Sequence, residues 1–230
     1  RGDYLDRLME EKALRARAWV PVRDFLALRG NLDESALRAC LRRNASPRES
    51  TSVRLAHNTI DRHTGTTPKA GGLFFSDEQW FDDKTRDIDV YVQTALASES
   101  LEALFAFVGE NGYGRDASTG RGRFDARIEA AEQDLLATKG SRMMSLSRGS
   151  ITTPMQSPRY RLAAHYGKLG GAYAGSVRDP FKKPLLLTLP GATFTPDGDG
   201  PFGALLSGVH PNRPEIVHNA WHLCVAFDGN

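Results

Sequence analysis

Two short stretches gather the side chains that can hold a polyanion. In the first, Arg54, His57, Asn58, Arg62, His63 and Lys69 surround the turn-rich run Thr64-Gly-Thr-Thr-Pro-Lys-Ala-Gly-Gly72, and Phe74 and Phe75 follow it. Cations meet phosphates and aromatic faces stack on splayed bases, which is how single-stranded RNA is held. In the second, Gly112, Tyr113, Gly114, Arg115, Ser118, Thr119, Gly120, Arg121, Gly122 and Arg123 form a glycine-rich loop opposed only by Asp116. Glycines admit positive φ and close backbone approach, so such a loop can turn N–H groups, hydroxyls and guanidinium groups toward an anion. The same glycines also serve an ordinary turn, and both readings stand. No Gly-Lys-Ser/Thr follows, and the spacing does not match the dinucleotide fingerprint, which disfavours nucleotide-driven chemistry.

Other chemistries are less well supplied. His57, Asp61 and His63 offer too few ligands for a closed metal site. Asp61 is expected to hold Arg62 rather than to do chemistry. His218 and His222 are four apart, which on a strand separates them by ~13 Å. No metal, cofactor or catalytic residue is assigned. The catalytic alternative is general acid-base cleavage of RNA by His57 or His165 with Lys168, for which no signature singles out a pair. Of Phe74 and Phe75, adjacent on a strand, one is expected to face the core.

The chain has 230 residues, 40% of them hydrophobic, enough for one large domain or two small ones. A net charge of +2 conceals segregation: residues 139–183 carry nine basic residues, Lys168, Lys182 and Lys183 among them, against Asp179 alone. Residues 71–110 carry nine acidic residues against Lys84 and Arg86. That division suits one polyanionic partner and one protein neighbour, unless folding mixes the two segments into an ordinary surface. Cys40 and Cys224, far apart in apolar surroundings, read as buried free thiols. With no run of ~20 apolar residues and no secretory leader, the cytoplasm is the expected compartment and no membrane is involved. The chain opens at Arg1 rather than methionine, as a processed or incomplete start would.

Residues 3–18 read as a surface helix and Trp19 to Leu28 as a buried segment. Residues 52–63 and 72–93 suggest a long hairpin, with Ile88, Val90 and Val92 alternating as a half-exposed strand does. A helix over Ser98 to Glu110, capped near Ser98 or Ser100, buries Leu101, Leu104, Phe105 and Val108. Strands are expected over Arg121 to Ile128, from Met143, over Pro184 to Leu189 and over Trp221 to Phe227. Strand, helix, glycine loop and strand make the second half of a ferredoxin-like unit. The expected class is α+β, as two such units or, alternatively, a single larger domain.

Asn58-Thr-Ile-Asp-Arg-His-Thr-Gly65 followed by Gly72-Leu-Phe-Phe resembles the Ile-Asp-Arg-x-Thr-Gly hairpin of the repeat-associated mysterious protein (RAMP) superfamily of CRISPR effector subunits. Gly112-x-Gly114-x5-Gly120-x-Gly122 is similar to its glycine-rich loop, and Gly167-Lys-Leu-Gly-Gly171 with Lys182-Lys-Pro-Leu-Leu-Leu-Thr-Leu-Pro-Gly191 to its C-terminal half. Within the superfamily these motifs are most like the fourth Csm subunit of type III-A complexes. The resemblance implies two ferredoxin-like (RRM-like) RAMP domains. Residues 1–130 form the first, with its N-terminal part missing, a thumb β-hairpin at about 52–80 and the glycine-rich loop 112–122; residues 131–230 form the second. It implies a non-catalytic subunit that caps the 5′ repeat-derived tag of the crRNA and docks the large polymerase/cyclase subunit and the first backbone RAMP subunit, meeting target RNA only indirectly. The RNA-binding residues would be those of the two opening stretches with Lys168, Lys182 and Lys183. The alternatives are a RAMP-type endoribonuclease that processes repeat RNA and the equivalent subunit of another type III complex.

Overall fold

The computed structural model describes residues 2–17, 19–44, 51–68, 70–80, 87–114, 116–117, 120–131, 135–136, 140–170, 173 and 179–229. Among them are four α-helices and ten strands, all paired antiparallel, an α+β mixture. The chain divides into two compact units, residues 1–19 with 41–92 and residues 20–40 with 93–230. Residues 93–130 fall in the second unit, so the expected boundary after residue 130 does not separate these two.

The first unit holds helix α1 (Gly2–Ala16) and a hairpin of β1 (Thr51–Asn58) and β2 (Leu73–Trp80). α1 is the expected surface helix: Leu14 is buried, whereas Tyr4, Leu5, Leu8 and Met9 are exposed. Arg42 reaches Glu10 at 3.1 Å and Glu11 at 3.6 Å, and the Arg17 guanidinium donates to the carbonyls of Leu41 and Asn44. A cation on those last carbonyls satisfies groups that a helix end leaves without an intrahelical partner.

The second unit is organised by a sheet ordered β10-β3-β7-β4, from β3 (Arg142–Ser145), β4 (Met155–Arg159), β7 (Thr193–Pro196) and β10 (Cys224–Phe227). Met143 pairs with Ala226 and Met144 with Val225, so alternate residues serve opposite faces. On one face Met143, Met155, Phe194, Phe202 and Ala226 form a buried cluster, with the Phe194 and Phe202 rings edge to face at 4.8 Å. On the other, Val225 and Phe227 pack with Leu135 and with Phe25 of α2 (Val22–Leu28). The 3-10 turn Arg29–Asn31 is tied to the end of β10: the Asp228 N–H donates to the Arg29 carbonyl at 2.6 Å, and the Leu32 N–H to the Asp228 carbonyl at 2.7 Å. Helix α3 (Glu34–Arg43) follows, capped where Asp33 Oδ1 accepts the Ala36 N–H at 2.8 Å. That bond, with Ser35, holds the Asp33 carboxyl below its ordinary range. The sequence reading missed this helix, although Asp33 before Leu37, Cys40 and Leu41 is a start signal with helical spacing. Two further hairpins complete the unit: β5 (Leu162–His165) with β6 (Leu185–Thr188), and β8 (Gly203–Leu206) with β9 (His218–Trp221).

Several expectations are corrected. The buried segment at 19–28 is α2 with only Phe25 buried, and Trp19 is exposed. Residues 87–97 and 121–131 form no strand. Alternation sets which side chains share a face but supplies no ladder partner. At 121–124 the backbone is engaged elsewhere, since the Phe124 N–H meets the Gly109 carbonyl and the Gly122 carbonyl accepts the Tyr113 N–H. The final strand is broken at His222 and Leu223 into β9 and β10. Cys40 and Cys224 form no disulfide, as expected, and burial pushes the Cys224 thiol up to about 12.

That break places His222 inside the second unit. Its Nε2 lies 3.1 Å from the Ser150 carbonyl oxygen and its Nδ1 2.7 Å from the Ser145 hydroxyl oxygen, so both ring nitrogens are partnered. A Cβ on Gly149 would enter the His222 ring. Burial, against the opposing Ser150 bond, lowers the His222 pKa from its ordinary 6.5. A histidine depressed in the folded state contributes stability that is fully present above its unfolded value and lost as pH falls through it. Urea unfolding monitored at pH 7.5 and pH 5 is therefore expected to show a lower midpoint at pH 5, with the drop reduced in His222→Gln.

Candidate nucleic-acid interface

The hairpin carries the first candidate group. Eight pairs run from Thr51 opposite Trp80 to Asn58 opposite Leu73. Side chains alternate across such a ladder, so His57, Leu55, Phe74 and Ser76 share one face, and Arg54, Ala56, Phe75 and Asp77 the other. The first face is partly covered: Ser76 is buried, and its Oγ lies 2.6 Å from His57 Nε2. The His57 ring lies flat on Phe74, centroids 5.0 Å apart and planes 14° apart. On the open face the Arg54 guanidinium sits 4.8 Å from the Phe75 centroid and 4.0 Å from Asp77. Phe74 and Phe75 remain 50% and 51% exposed. Neither is a core residue, contrary to the expectation for one of them; each lies half exposed beside a cationic or ionisable side chain.

The tip of the hairpin holds itself by hydrogen bonds. Asp61 Oδ1 accepts the His63 N–H at 2.8 Å, and the Asp61 carbonyl accepts the Gly65 N–H, also at 2.8 Å. Asp61 thus organises the turn through the backbone. No ion pair joins it to Arg62 among the described residues, which corrects the expected pinning. Thr67 Oγ1 donates to Asn58 Oδ1 at 2.8 Å, and the Thr59 N–H to the Gly72 carbonyl at 2.7 Å, closing the neck. Arg62 and His63 are exposed at this tip. Lys69 lies outside the described residues.

The second group follows helix α4 (Ser98–Asn111), which the sequence placed correctly apart from its cap, Ala97, and its burial: Leu104 is exposed, and Leu101, Phe105 and Val108 are only partly buried. Gly112 ends the helix at φ 86°, its N–H bonded to the Val108 carbonyl. A Cβ on Gly109, Gly112 or Gly122 would strike the carbonyl oxygens of Phe124, Arg121 and Tyr113 respectively. These three glycines are required by the chain's approach to itself, which is the plain-turn reading. Gly114 and Gly120, at φ 98° and 88°, have open space where a Cβ would stand. The outcome is a closed turn that presents Tyr113, 77% exposed, with Arg121 and Arg123 at the surface. Arg115, Ser118 and Thr119 lie outside the described residues.

The third group, Lys168, Lys182 and Lys183, lies in the second unit. Lys168 pairs with Phe181 in an isolated bridge, its ammonium 6.0 Å from that ring, while Lys182 and Lys183 donate to the carbonyls of Val217 and Gly208 at 2.9 and 3.1 Å. His165 and His218 join this group, 53 positions apart in sequence and brought together only by the strands they end and begin. A cavity lined by Arg159, Tyr160, Arg161 and residues 189–192 adds two more cations that sequence counting had not sited. Among the described residues no cluster of three or more metal-ligating side chains occurs, and no helix is long and apolar enough to cross a membrane.

No protein-family model matches the chain, and neither does any curated protein.

The glycines separate into two kinds with different costs. Ala at Gly114 meets only the left-handed conformational penalty of about 1–2 kcal/mol, whereas at Gly122 it must also displace the Tyr113 carbonyl. Gly122→Ala is expected to lower the urea midpoint more than Gly114→Ala and to speed exchange of the Tyr113 amide hydrogen, both measurable on the purified chain.

Proposed function

We propose that this protein is a non-catalytic crRNA-binding subunit of a type III-A CRISPR (Csm) effector, which caps the 5′ repeat-derived tag and docks the large polymerase/cyclase subunit and the first backbone RAMP subunit. The observation that carries the reading is the hairpin. Its two aromatic rings are half exposed, one under Arg54 and the other under His57, on a ladder that ends in a tip bearing Arg62 and His63. Planes for bases and cations for phosphates on one element suit single-stranded RNA.

The glycine turn supports the reading less directly, by presenting Tyr113, Arg121 and Arg123 together. Topology supports a ferredoxin-like second domain. With β3, β4, β7 and β10 counted as the first to fourth strands in chain order, the sheet reads fourth, first, third, second from edge to edge, all antiparallel. That is the order a β-α-β-β-α-β chain produces. Here the connection from β3 to β4 carries no helix, and those from β4 to β7 and from β7 to β10 carry the β5–β6 and β8–β9 hairpins. His57 is committed to Ser76 and Phe74, which favours a structural role for it over the endoribonuclease alternative.

Binding to single-stranded RNA is expected to weaken with salt, log K falling by about 0.7 per phosphate neutralised for each unit of log salt. Fluorescence anisotropy should show a slope shallower by about that amount in Arg62→Glu. Phe75→Ala should weaken binding by about 1–3 kcal/mol, the worth of one stacked base, with the slope unchanged. Salt-independent affinity would overturn the reading. For the effector role, wild type and Arg121→Glu/Arg123→Glu are each co-purified with the other subunits and the retained RNA is sequenced; intact 5′ tags are expected in the first and depleted tags in the second. Cleavage of labelled repeat RNA by the purified chain would replace the scaffold role by catalysis.

A further inference from the structure

β5 and β9 belong to different two-stranded sheets, yet they bring His165 and His218 into contact, with centroids 5.0 Å apart and planes tilted by 43°. Lys182 enters the same corner. Its N–H donates to the Gly167 carbonyl at 2.8 Å, and its Nζ donates to the carbonyl of Val217, the residue before His218, at 2.9 Å. Gly167 is the floor: a Cβ there would stand 3.5 Å from His165 Nε2 and 3.2 Å from Lys182 Cδ. Tyr166 and Lys168, next in the chain, are exposed.

The groups whose charge acts on His218 are Lys182 and His165, and each opposes its protonation. Asp179, the acidic residue of this stretch, spends its Oδ1 on the Phe181 N–H at 3.1 Å, and its carbonyl meets His210 at 3.0 Å. Burial first, then Lys182 and His165, holds His218 below the ordinary 6.5. Two imidazoles and an ammonium therefore share one half-buried corner with no described carboxylate bonded to them. Each protonation makes the next harder unless an anion enters.

We infer that His165, His218 and Lys182 form a phosphate-binding corner that takes up a proton from solvent when it is occupied. Lys182 supplies the permanent charge, and a histidine ring becomes the second donor. The recognised chemistry is a phosphate oxygen pair, carried by an RNA strand or by the free anion. No bond is made or broken beyond the proton transfer to the ring.

The test is an NMR titration of the six histidine Cε1–H signals between pH 5.5 and 8, assigned with His165→Gln and His218→Gln. It is run alone, with inorganic phosphate, and with an oligoribonucleotide bearing hydroxyl termini. Either ligand should raise the midpoints of His165 and His218 and leave that of buried His222 in place. For the oligoribonucleotide, whose phosphodiesters do not titrate in this range, affinity should rise about tenfold per pH unit on acidification above those midpoints, as uptake of one proton requires. His218→Gln should flatten this dependence, and Lys182→Met should weaken binding at every pH. A response to inorganic phosphate assigns a free anion, and a response to the oligonucleotide alone assigns a strand phosphodiester; both sustain the site. Midpoints unmoved by either ligand, or all six moved alike, overturn it, and this wild-type comparison decides even if a variant fails to fold. RNA binding that depends on the hairpin while His165 and His218 stay silent removes this site and keeps the guide-binding reading. A phosphate response without RNA binding does the reverse.

Discussion

The pairing of Met144 with Val225 and of Met143 with Ala226 divides the second unit into its two cores. A slip of one residue would exchange every side chain between the faces. It would turn Phe227 away from Phe25 and Leu135, and carry Ser145 away from His222. Register is defended from both sides of β3: by β10, which the Arg29–Asn31 turn anchors beyond its end through Asp228, and by β7, whose Phe194 is fully buried. The His222 contacts reinforce that register with polar groups, since Ser145 Oγ and the Ser150 carbonyl meet both ring nitrogens only in the observed alignment. Buried polar groups are costly unless partnered, so this small network penalises alternatives more than it adds stability.

The same rule operates in the hairpin without a core to enforce it. Register there sorts Arg54 and Phe75 to one face and His57 and Phe74 to the other. The closed neck at Asn58 and Thr67 marks one end of the alignment, and Ser76, opposite Leu55, is covered within it. The Arg54–Asp77 contact, with both side chains some 70–75% exposed, contributes little to stability. A two-stranded ribbon is marginal alone, so its half-exposed aromatics are better explained by what they meet than by what they hold together.

Local signals in the sequence carried the hairpin, α1, α4 and the strands around 142 and 185, because each has its own pattern of period and turn residues. Ile88 to Val92 and Arg121 to Ile128 had the pattern and failed to form strands, because a ladder needs a second backbone in reach and α4 engages the start of the second segment. Helix α3 was missed for the opposite reason: its Asp33 cap and short apolar face are modest signals among many charges. Of the candidate site, the cations and glycines were legible by type. What each glycine is for was not: whether Gly112 and Gly114 differ depends on where Arg121 passes, and only the folded chain fixes that.

The histidines show this limit most sharply. Read as a strand, His218 and His222 seemed alike, four apart and facing the same way. The break between β9 and β10 gives them opposite fates. His222 is drawn inward between Ser145 and Ser150, where both ring nitrogens meet fitted partners. His218 stays at an open corner beside His165 and Lys182, where its proton depends on what else is present. Both are held below the ordinary imidazole range and burial leads in each, but the second cause differs: a carbonyl that favours the proton in one, the Lys182 ammonium that opposes it in the other. A carbonyl is a permanent part of the fold, whereas a cationic corner can be relieved from outside. The same residue type thus serves as a fixed strut at one position and as a group responsive to an arriving anion four residues earlier.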